Sequence, residues 1–293
     1  MKEDKIIKCL AYEGRVKITC IRSTNLVEKA RITHDLSPVA TAAFGRLLTM
    51  AGIMGSDMKA KNHKLTLQIK GEGPIKSMLV TSDSTPNLKG YVGNPYVDLP
   101  LNDIGKLDVS GAIGENGFLN VIKDIGLKEP YVGISPLSSG EIAEDFAQYF
   151  SKSEQKDTAV ALGVLVDKNG VRNAGGYIIS PLPDATNQDI DNIEKAIFEA
   201  GAISKMLDKN IELEDIVKKI SGDEYAKTIK DDIIPMYKCD CSKENMQRAL
   251  ITLNQDDLIS LIEDGQAELE CHFCNSKYIF NKQELQNIWD MRK

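Results

Sequence analysis

The sequence predicts an α+β protein in three parts: a mixed α/β body over residues 1–183, a helical linker over 184–234 and a small α+β module over 235–293. Three observations predict this. Between Lys64 and Pro181, short apolar stretches alternate with polar residues and are punctuated by glycine-rich turns, as in half-buried strands. After Pro183 the apolar residues regroup into stripes at helical spacing. Four of the six cysteines then gather in two clusters, Cys239-Asp240-Cys241 and Cys271-His272-Phe273-Cys274.

Taken in order, Lys5 to Ala11 and Val16 to Ile21 read as strands joined at Glu13-Gly14. Cys9 and Cys20 lie within them and read as small buried hydrophobes. A Cys9–Cys20 disulfide in the oxidised protein would overturn that. Ser37 as N-cap and Pro38 at the first helical position open a helix. Val39, Ala42, Ala43, Phe44, Leu47, Leu48, Met50 and Ala51 make it apolar around much of its circumference, which calls for burial. Leu65, Leu67 and Ile69 alternate along a strand, and further short strands are expected at Met78 to Thr81, Gly90 to Val92, Lys106 to Val109, Leu119 to Lys123 and Tyr131 to Ile134. Gly140 to Phe150 looks helical, and Ala159 to Asp167 is a continuous apolar run suited to a buried strand. Asn173 to Ile179 closes the sheet region. Its glycines, and those before it, form neither GxGxxG nor GxxxxGK[ST], so they mark tight turns rather than a phosphate cradle.

In the linker, Gln188 to Leu207 is expected as one helix with Ile190, Ile193, Ile197 and Ala200 on a stripe, and Glu212 to Ile220 as a second. A segment this short cannot own a core. Its stripes must dock on a neighbour, either as ordinary packing or as a detachable cover. The last part is about 60 residues, a size at which a metal often makes up for a marginal core. Ser242 caps a helix carrying Met246, Ala249, Leu250 and Leu253; a second helix, Asp256 to Asp264, stops at Gly265. Ala267, Leu269 and Cys271 alternate, so Cys271 enters on a strand; Tyr278 to Phe280 return, and Asn281 with Glu284 caps a last helix through Trp289.

Composition narrows the function. Hydrophobic content of 42% and charged content of 27% are ordinary for a soluble protein, and a net charge of −7 argues against a nucleic-acid surface spread over the body. No apolar run approaches the roughly 20 residues of a membrane span, and charges in Met1-Lys2-Glu3-Asp4-Lys5 stand where a secretory signal turns apolar. The expectation is a cytoplasmic protein with no membrane partner. There thiols stay reduced, which favours metal or redox chemistry over standing disulfides. His34, His63 and His272 are scattered and form no triad or HExxH; a structural hydrogen bond, a solvated position and a place pointing away from the metal are expected of them in turn. No enzyme is expected.

The cysteines carry the chemistry. Cys-x-x-Cys in a tight turn aims two sulfurs at one point, and Cys-x-Cys in extended chain projects two sulfurs to one side. Cys239, Cys241, Cys271 and Cys274 thus suit a closed four-thiolate zinc site. Zinc holds sulfurs as thiolates, the species that oxidants attack. Its binding is worth on the order of 10–16 kcal/mol, against roughly 5–15 kcal/mol for a whole domain, so oxidation that expelled it would unfold the module. The residues leave two readings open, a structural zinc ribbon and a redox switch.

The runs Tyr237-Lys238-Cys239-Asp240-Cys241-Ser242, Cys271-His272-Phe273-Cys274-Asn275, Leu36-Ser37-Pro38-Val39-Ala40-Thr41-Ala42-Ala43 with Gly45-Arg46-Leu47-Leu48, and Ala174-Gly175-Gly176-Tyr177 resemble the 33 kDa chaperonin family of redox-regulated heat-shock holdases. The likeness spans the chain in the family's order. It implies one zinc ion per chain on Cys239, Cys241, Cys271 and Cys274 in a reduced, inactive state. It further implies that hypochlorite, or peroxide with heat, forms Cys239–Cys241 and Cys271–Cys274 disulfides and expels the metal. The linker then unfolds, and the active form, typically a homodimer, holds unfolding client proteins without ATP. The alternative is a zinc-ribbon protein that binds nucleic acid or a protein partner, against which stand Asp240, Glu244, Glu268 and Glu270 around the clusters and the lack of a Lys/Arg patch. A redox enzyme comes third.

Overall fold

The computed structural model describes residues 2–292. They fall into two compact units, Met1–Tyr237 and Lys238–Lys293. In the first, β1 (Lys5–Ala11) and β2 (Val16–Arg22) form a hairpin through a 3-10 turn, Tyr12–Gly14, whose three residues all have positive φ. Then come α1 (Thr24–His34) and α2 (Pro38–Ser56), the meander β3 (Lys64–Gly71), β4 (Ser77–Asp83) and β5 (Asn87–Val92), and α3 (Val109–Ile113). β6 (Gly117–Asp124), β7 (Tyr131–Pro136), α4 (Ala143–Ser153), β8 (Ala159–Asp167) and β9 (Gly170–Pro181) complete the body. Helices α5 (Asn187–Ala200), α6 (Ile203–Asp208) and α7 (Leu213–Ser221) are followed by two more strands, β10 (Lys227–Ile233) and β11 (Met236–Tyr237).

Two sheets result among the described residues of this first unit. One runs β10-β1-β2-β9-β8, antiparallel throughout; the other runs β11-β5-β4-β3-β6-β7, antiparallel except where β11 lies parallel to β5. Helix α2 packs against strands of both, and every residue of it except Pro38 and Arg46 is buried. A helix apolar all round is stable only when it is surrounded, and two sheets surround it. Strand β1 splits its side chains by alternation. Ile6 enters the core around α2, whereas Ile7, Cys9 and Ala11 face a second core. That second core is closed from outside by Ile193, Ile203, Met206, Leu207, Leu213, Ile216, Val217 and Ile220 of α5–α7.

Several expectations need correction. By length and composition α2 is apolar enough to cross a membrane, yet 89% of its most apolar window is buried in the fold, so it is a core helix. Ser37 is the N-cap residue of α2 and Pro38 opens the helix, as expected, but the Ser37 Oγ accepts the Val97 amide at 3.1 Å rather than an amide of the helix. Lys106 to Val109 is no strand: Leu107 makes only an isolated bridge to Leu101, and the Asp108 carboxylate accepts the Gly111 amide to start α3. The single helix expected from Gln188 to Leu207 breaks at Gly201, whose φ of +71° ends α5. The linker is not wholly helical either, since β10 pairs with β1 at Ile6↔Ile233, Lys8↔Lys230 and Cys9↔Thr228. Thr228, Ile229 and Ile233 are β-branched, and β1 presents them with an open edge to pair on. Helix α1 has no counterpart among the expectations.

The second unit comprises α8 (Lys243–Ile251), α9 (Gln255–Asp264), the hairpin of β12 (Gln266–Glu270) with β13 (Lys277–Asn281), and α10 (Lys282–Asp290). The caps are where the sequence put them. Ser242 Oγ accepts the Asn245 amide, Asn281 and Glu284 cap α10 reciprocally, and Gly265 at φ +84° stops α9. Its core is small: Leu250, Leu258, Ala267, Phe280, Leu285 and Ile288 are the buried apolar side chains that pack together.

Candidate metal centre

The four clustered cysteines come together within this second unit. Cys239 and Cys241 lie on the irregular stretch before α8, and Cys271 follows directly on β12. The Cys271 amide donates to the Ser276 carbonyl at 2.9 Å, while the Cys274 and Asn275 amides both donate to the Cys271 carbonyl at 3.1 and 2.7 Å. Asn275 takes up φ +56°, a left-handed value that asparagine tolerates. This tight turn presents Cys271 and Cys274 to the same side.

All four sulfurs lie within 4.8 Å of one another. Cys239 and Cys271 approach to 3.8 Å, and Cys241 and Cys274 to 3.3 Å. A tetrahedron of zinc–sulfur bonds of ~2.3 Å has edges of about 3.8 Å, so the donor set and its spacing fit that ion. Cys271 is buried and the other three are half-buried, within reach of small solutes.

Burial and hydrogen bonds act unequally on the sulfurs. Burial pushes the Cys239 and Cys271 thiols up, against amide N–H groups of Cys241 and Phe273 that favour their thiolates. Burial also acts to raise Cys274, but the Ser276 hydroxyl and amide, with Cys241 and Cys239, more than offset it and bring that thiol down to about 7. Thiolates this close would also repel one another. A cation held by Cys239, Cys241, Cys271 and Cys274 would favour the thiolate at each. The Tyr278 hydroxyl stands 3.1 Å from Cys241 Sγ, and this bond is the main reason that its own ionisation is pushed up to about 12.

The comparisons with known proteins bear on the whole chain. A family model described as Hsp33 protein matches residues 4–281. The chain belongs to the Hsp33 family. It is 45% identical over 287 residues to the 33 kDa chaperonin of Ruminiclostridium cellulolyticum, covering 97% of both chains. It is 44% identical over 288 residues to that of Clostridium botulinum strain Hall, covering 98% of this chain and 97% of the other. The crystal structure of the 33 kDa chaperonin from Thermotoga maritima matches with a TM-score of 0.91 at 38% identity, over 99% of each chain. A chaperone function comes with Hsp33 membership.

The remaining candidates lie elsewhere. His34 is buried, with Nε2 2.7 Å from the Tyr237 hydroxyl, which donates to the Gly90 carbonyl at 2.8 Å. His63 is half-buried, and His272 is exposed and outside the sulfur cluster. Cys9 and Cys20 are free, buried thiols in the second core, and burial raises both, as befits inert hydrophobes. Sequence spacing found the cysteines but missed Tyr278 and Ser276. Their part depends on where β13 lies relative to the turn, and the only signal was the alternation around Tyr278.

Proposed function

We propose that this Hsp33-family chain is a redox-regulated, ATP-independent holdase whose switch is Cys239, Cys241, Cys271 and Cys274. The observation that carries the reading is the convergence of four sulfurs in a unit whose own core is six buried side chains. One zinc ion per chain, bound in the reduced state, would keep all four sulfurs as thiolates and add binding free energy that this core lacks. Each thiolate pair meeting hypochlorous acid gives up two electrons: two thiolates, one HOCl and one proton become a disulfide, chloride and water. The pairing Cys239–Cys241 and Cys271–Cys274 follows from the family resemblance; within 4.8 Å every pairing is in reach.

Residues 235–293 act as the switch, 184–234 as the linker, and 1–183 as the body for dimerisation and client binding. The linker's apolar stripes support a covering role. Lifting α5–α7 off their sheet uncovers Ile7, Ile18, Tyr177 and Ile179, together with the stripes themselves. Such a surface suits unfolding clients, which present apolar chain rather than a motif. A homodimer in the active state, a cytoplasmic setting, and binding rather than turnover complete the proposal. Neither a nucleic acid nor a membrane is among the partners proposed.

The test is zinc content and suppression of aggregation on one sample, before and after hypochlorite, with a thermally unfolding enzyme as client. Zinc near one per chain, lost as protection appears, supports the switch. Zinc retained through oxidation, or equal protection in both states, leaves a structural zinc ribbon, and binding of nucleic acid or a protein partner then becomes the reading to assay.

A further inference from the structure

The four sulfurs do not receive their hydrogen bonds from the same kind of donor. Amide N–H groups favour three of the thiolates, that of Cys241 at Cys239, of Phe273 at Cys271 and of Ser276 at Cys274, whose Sγ also lies 3.2 Å from the Ser276 hydroxyl oxygen. Those amides belong to the turns that carry the cysteines, and any side chain in the turn leaves them in place. Cys241 Sγ instead lies 3.1 Å from a hydroxyl on another element, that of Tyr278, which is the donor of this bond once the sulfur is a thiolate. Tyr278 is held in position by β13, where it pairs with Leu269 of β12 two residues before Cys271. Its ring is half-buried and packs against the small core of this unit.

We infer that Tyr278 is a positioning residue for the thiolate centre: by donating its hydroxyl to Cys241 it steadies that sulfur on the metal and blunts its attack on oxidants, and so sets the threshold of the switch. The inference rests on reading the four cysteines as a zinc site. The chemistry is direct. A metal-bound thiolate is a dense, soft negative charge, and a phenol is a charge-assisted donor to it. The bond draws electron density from the sulfur lone pair that an electrophilic oxidant must engage. In the first step with hypochlorous acid, a thiolate lone pair takes chlorine and hydroxide leaves; in the second, the neighbouring thiolate displaces chloride and the S–S bond forms. A donor on Cys241 slows whichever of these steps Cys241 supplies with electrons. Groups that bond to metal ligands typically change metal affinity by about 10–100-fold when removed, and a side chain is the kind of donor that sequence can tune.

Tyr278→Phe removes the hydroxyl and keeps the ring. In the full chain loaded with zinc, we expect affinity measured against a chelator to fall by roughly 10–100-fold, and zinc release under limiting peroxide, read with a chromogenic chelator and no client present, to quicken several-fold. In the cobalt-loaded chain the sulfur-to-metal charge-transfer band should move to lower energy, a signature that loss of packing alone does not produce. Ser276→Ala should do less on every readout, because Cys274 keeps the amide. Should Tyr278→Phe fold poorly, 3-fluorotyrosine placed at 278, a stronger donor of nearly the same size, must shift release and band in the opposite direction. Equal affinity, release rate and band energy in wild type and variants would overturn the role of Tyr278 while leaving the zinc site intact. A wild-type chain that takes up neither metal would bring down the reading of the centre, and this inference with it.

Discussion

At the residue scale, the centre was legible because its signal is local. Two sulfurs two or three residues apart can be read from spacing alone, and the tight turn at Cys271–Asn275 needs only its own backbone bonds. Tyr278 was not legible, since nothing but the β12–β13 register brings its hydroxyl to Cys241. Cys271 is the most buried of the four, so its loss is the hardest to repair with water. Cys271→Ser is expected to bind zinc at least 100-fold more weakly and to show unprotected amides in β12, β13 and α10 by hydrogen exchange, even under full reduction. Wild-type zinc content in that variant would count against Cys271 as a ligand. A second residue-scale prediction concerns Asp189. Its carboxyl is held well below the usual range, first by the Arg15 hydrogen bonds at 2.8 and 3.1 Å and further by the Thr186 amide and hydroxyl, against the opposing effect of burial. A carboxyl whose folded value is depressed stabilises the fold above its unfolded value of about 3.9 and loses that contribution as pH falls through the folded one. Asp189→Asn should therefore lower the melting temperature at pH 7, and the gap to wild type should narrow steadily below about pH 4. A gap independent of pH would show that Asp189 acts only as a neutral cap.

At the scale of elements, sequence succeeded wherever one helix or strand carries its own terminators and failed wherever a neighbour decides. Ser242, Gly265 and the Asn281–Glu284 pair bound their helices by bonds within a few residues. By contrast, Lys227–Ile233, expected within the helical linker, is a strand only because β1 offers it an edge. Charges on that outer strand also discourage another chain from adding to the sheet. Strand β10 lies over Cys9, whose Sγ is 3.4 Å from Thr228 Oγ1. If oxidation lifts the linker, Cys9 should become open to alkylation after hypochlorite treatment and remain closed before it. Mass spectrometry of a trapping reagent on Cys9 would read this directly, and equal labelling in both states would keep β10 docked throughout. Helix α7 offers a complementary test. Ile216 is fully buried in the second core, and Ile216→Ala should cost about 2–5 kcal/mol of docking. Part of the protection against aggregation should then appear in the reduced protein with zinc still bound. Protection that still requires oxidant would separate the cover from client binding.

For the molecule as a whole, the two units draw their stability from different sources. The larger buries an apolar helix between two sheets and closes a second core beneath three helices, so its stability is spread over many side chains. The smaller has six buried apolar side chains that pack together and four sulfurs within 4.8 Å of one another, a spacing at which thiolates repel unless a cation lies between them. Its fold should therefore depend on the metal, and that of the larger should not. Removing zinc with a strong chelator while a phosphine keeps every thiol reduced separates metal loss from disulfide formation. Under those conditions the amides of α8, α9, β12, β13 and α10 should exchange freely, whereas those of β3, β4 and β6 stay protected. Re-adding zinc should restore the first set without any reductant cycle. If chelation alone also brings protection against aggregation, the signal to the linker is the unfolding of the small unit, and the disulfides serve to hold it unfolded. If protection waits for oxidant although the small unit has already melted, disulfide formation itself carries the signal. If the small unit keeps its protected amides without metal, six side chains suffice for its fold, and the cysteines are free to act as redox groups with no structural ion between them.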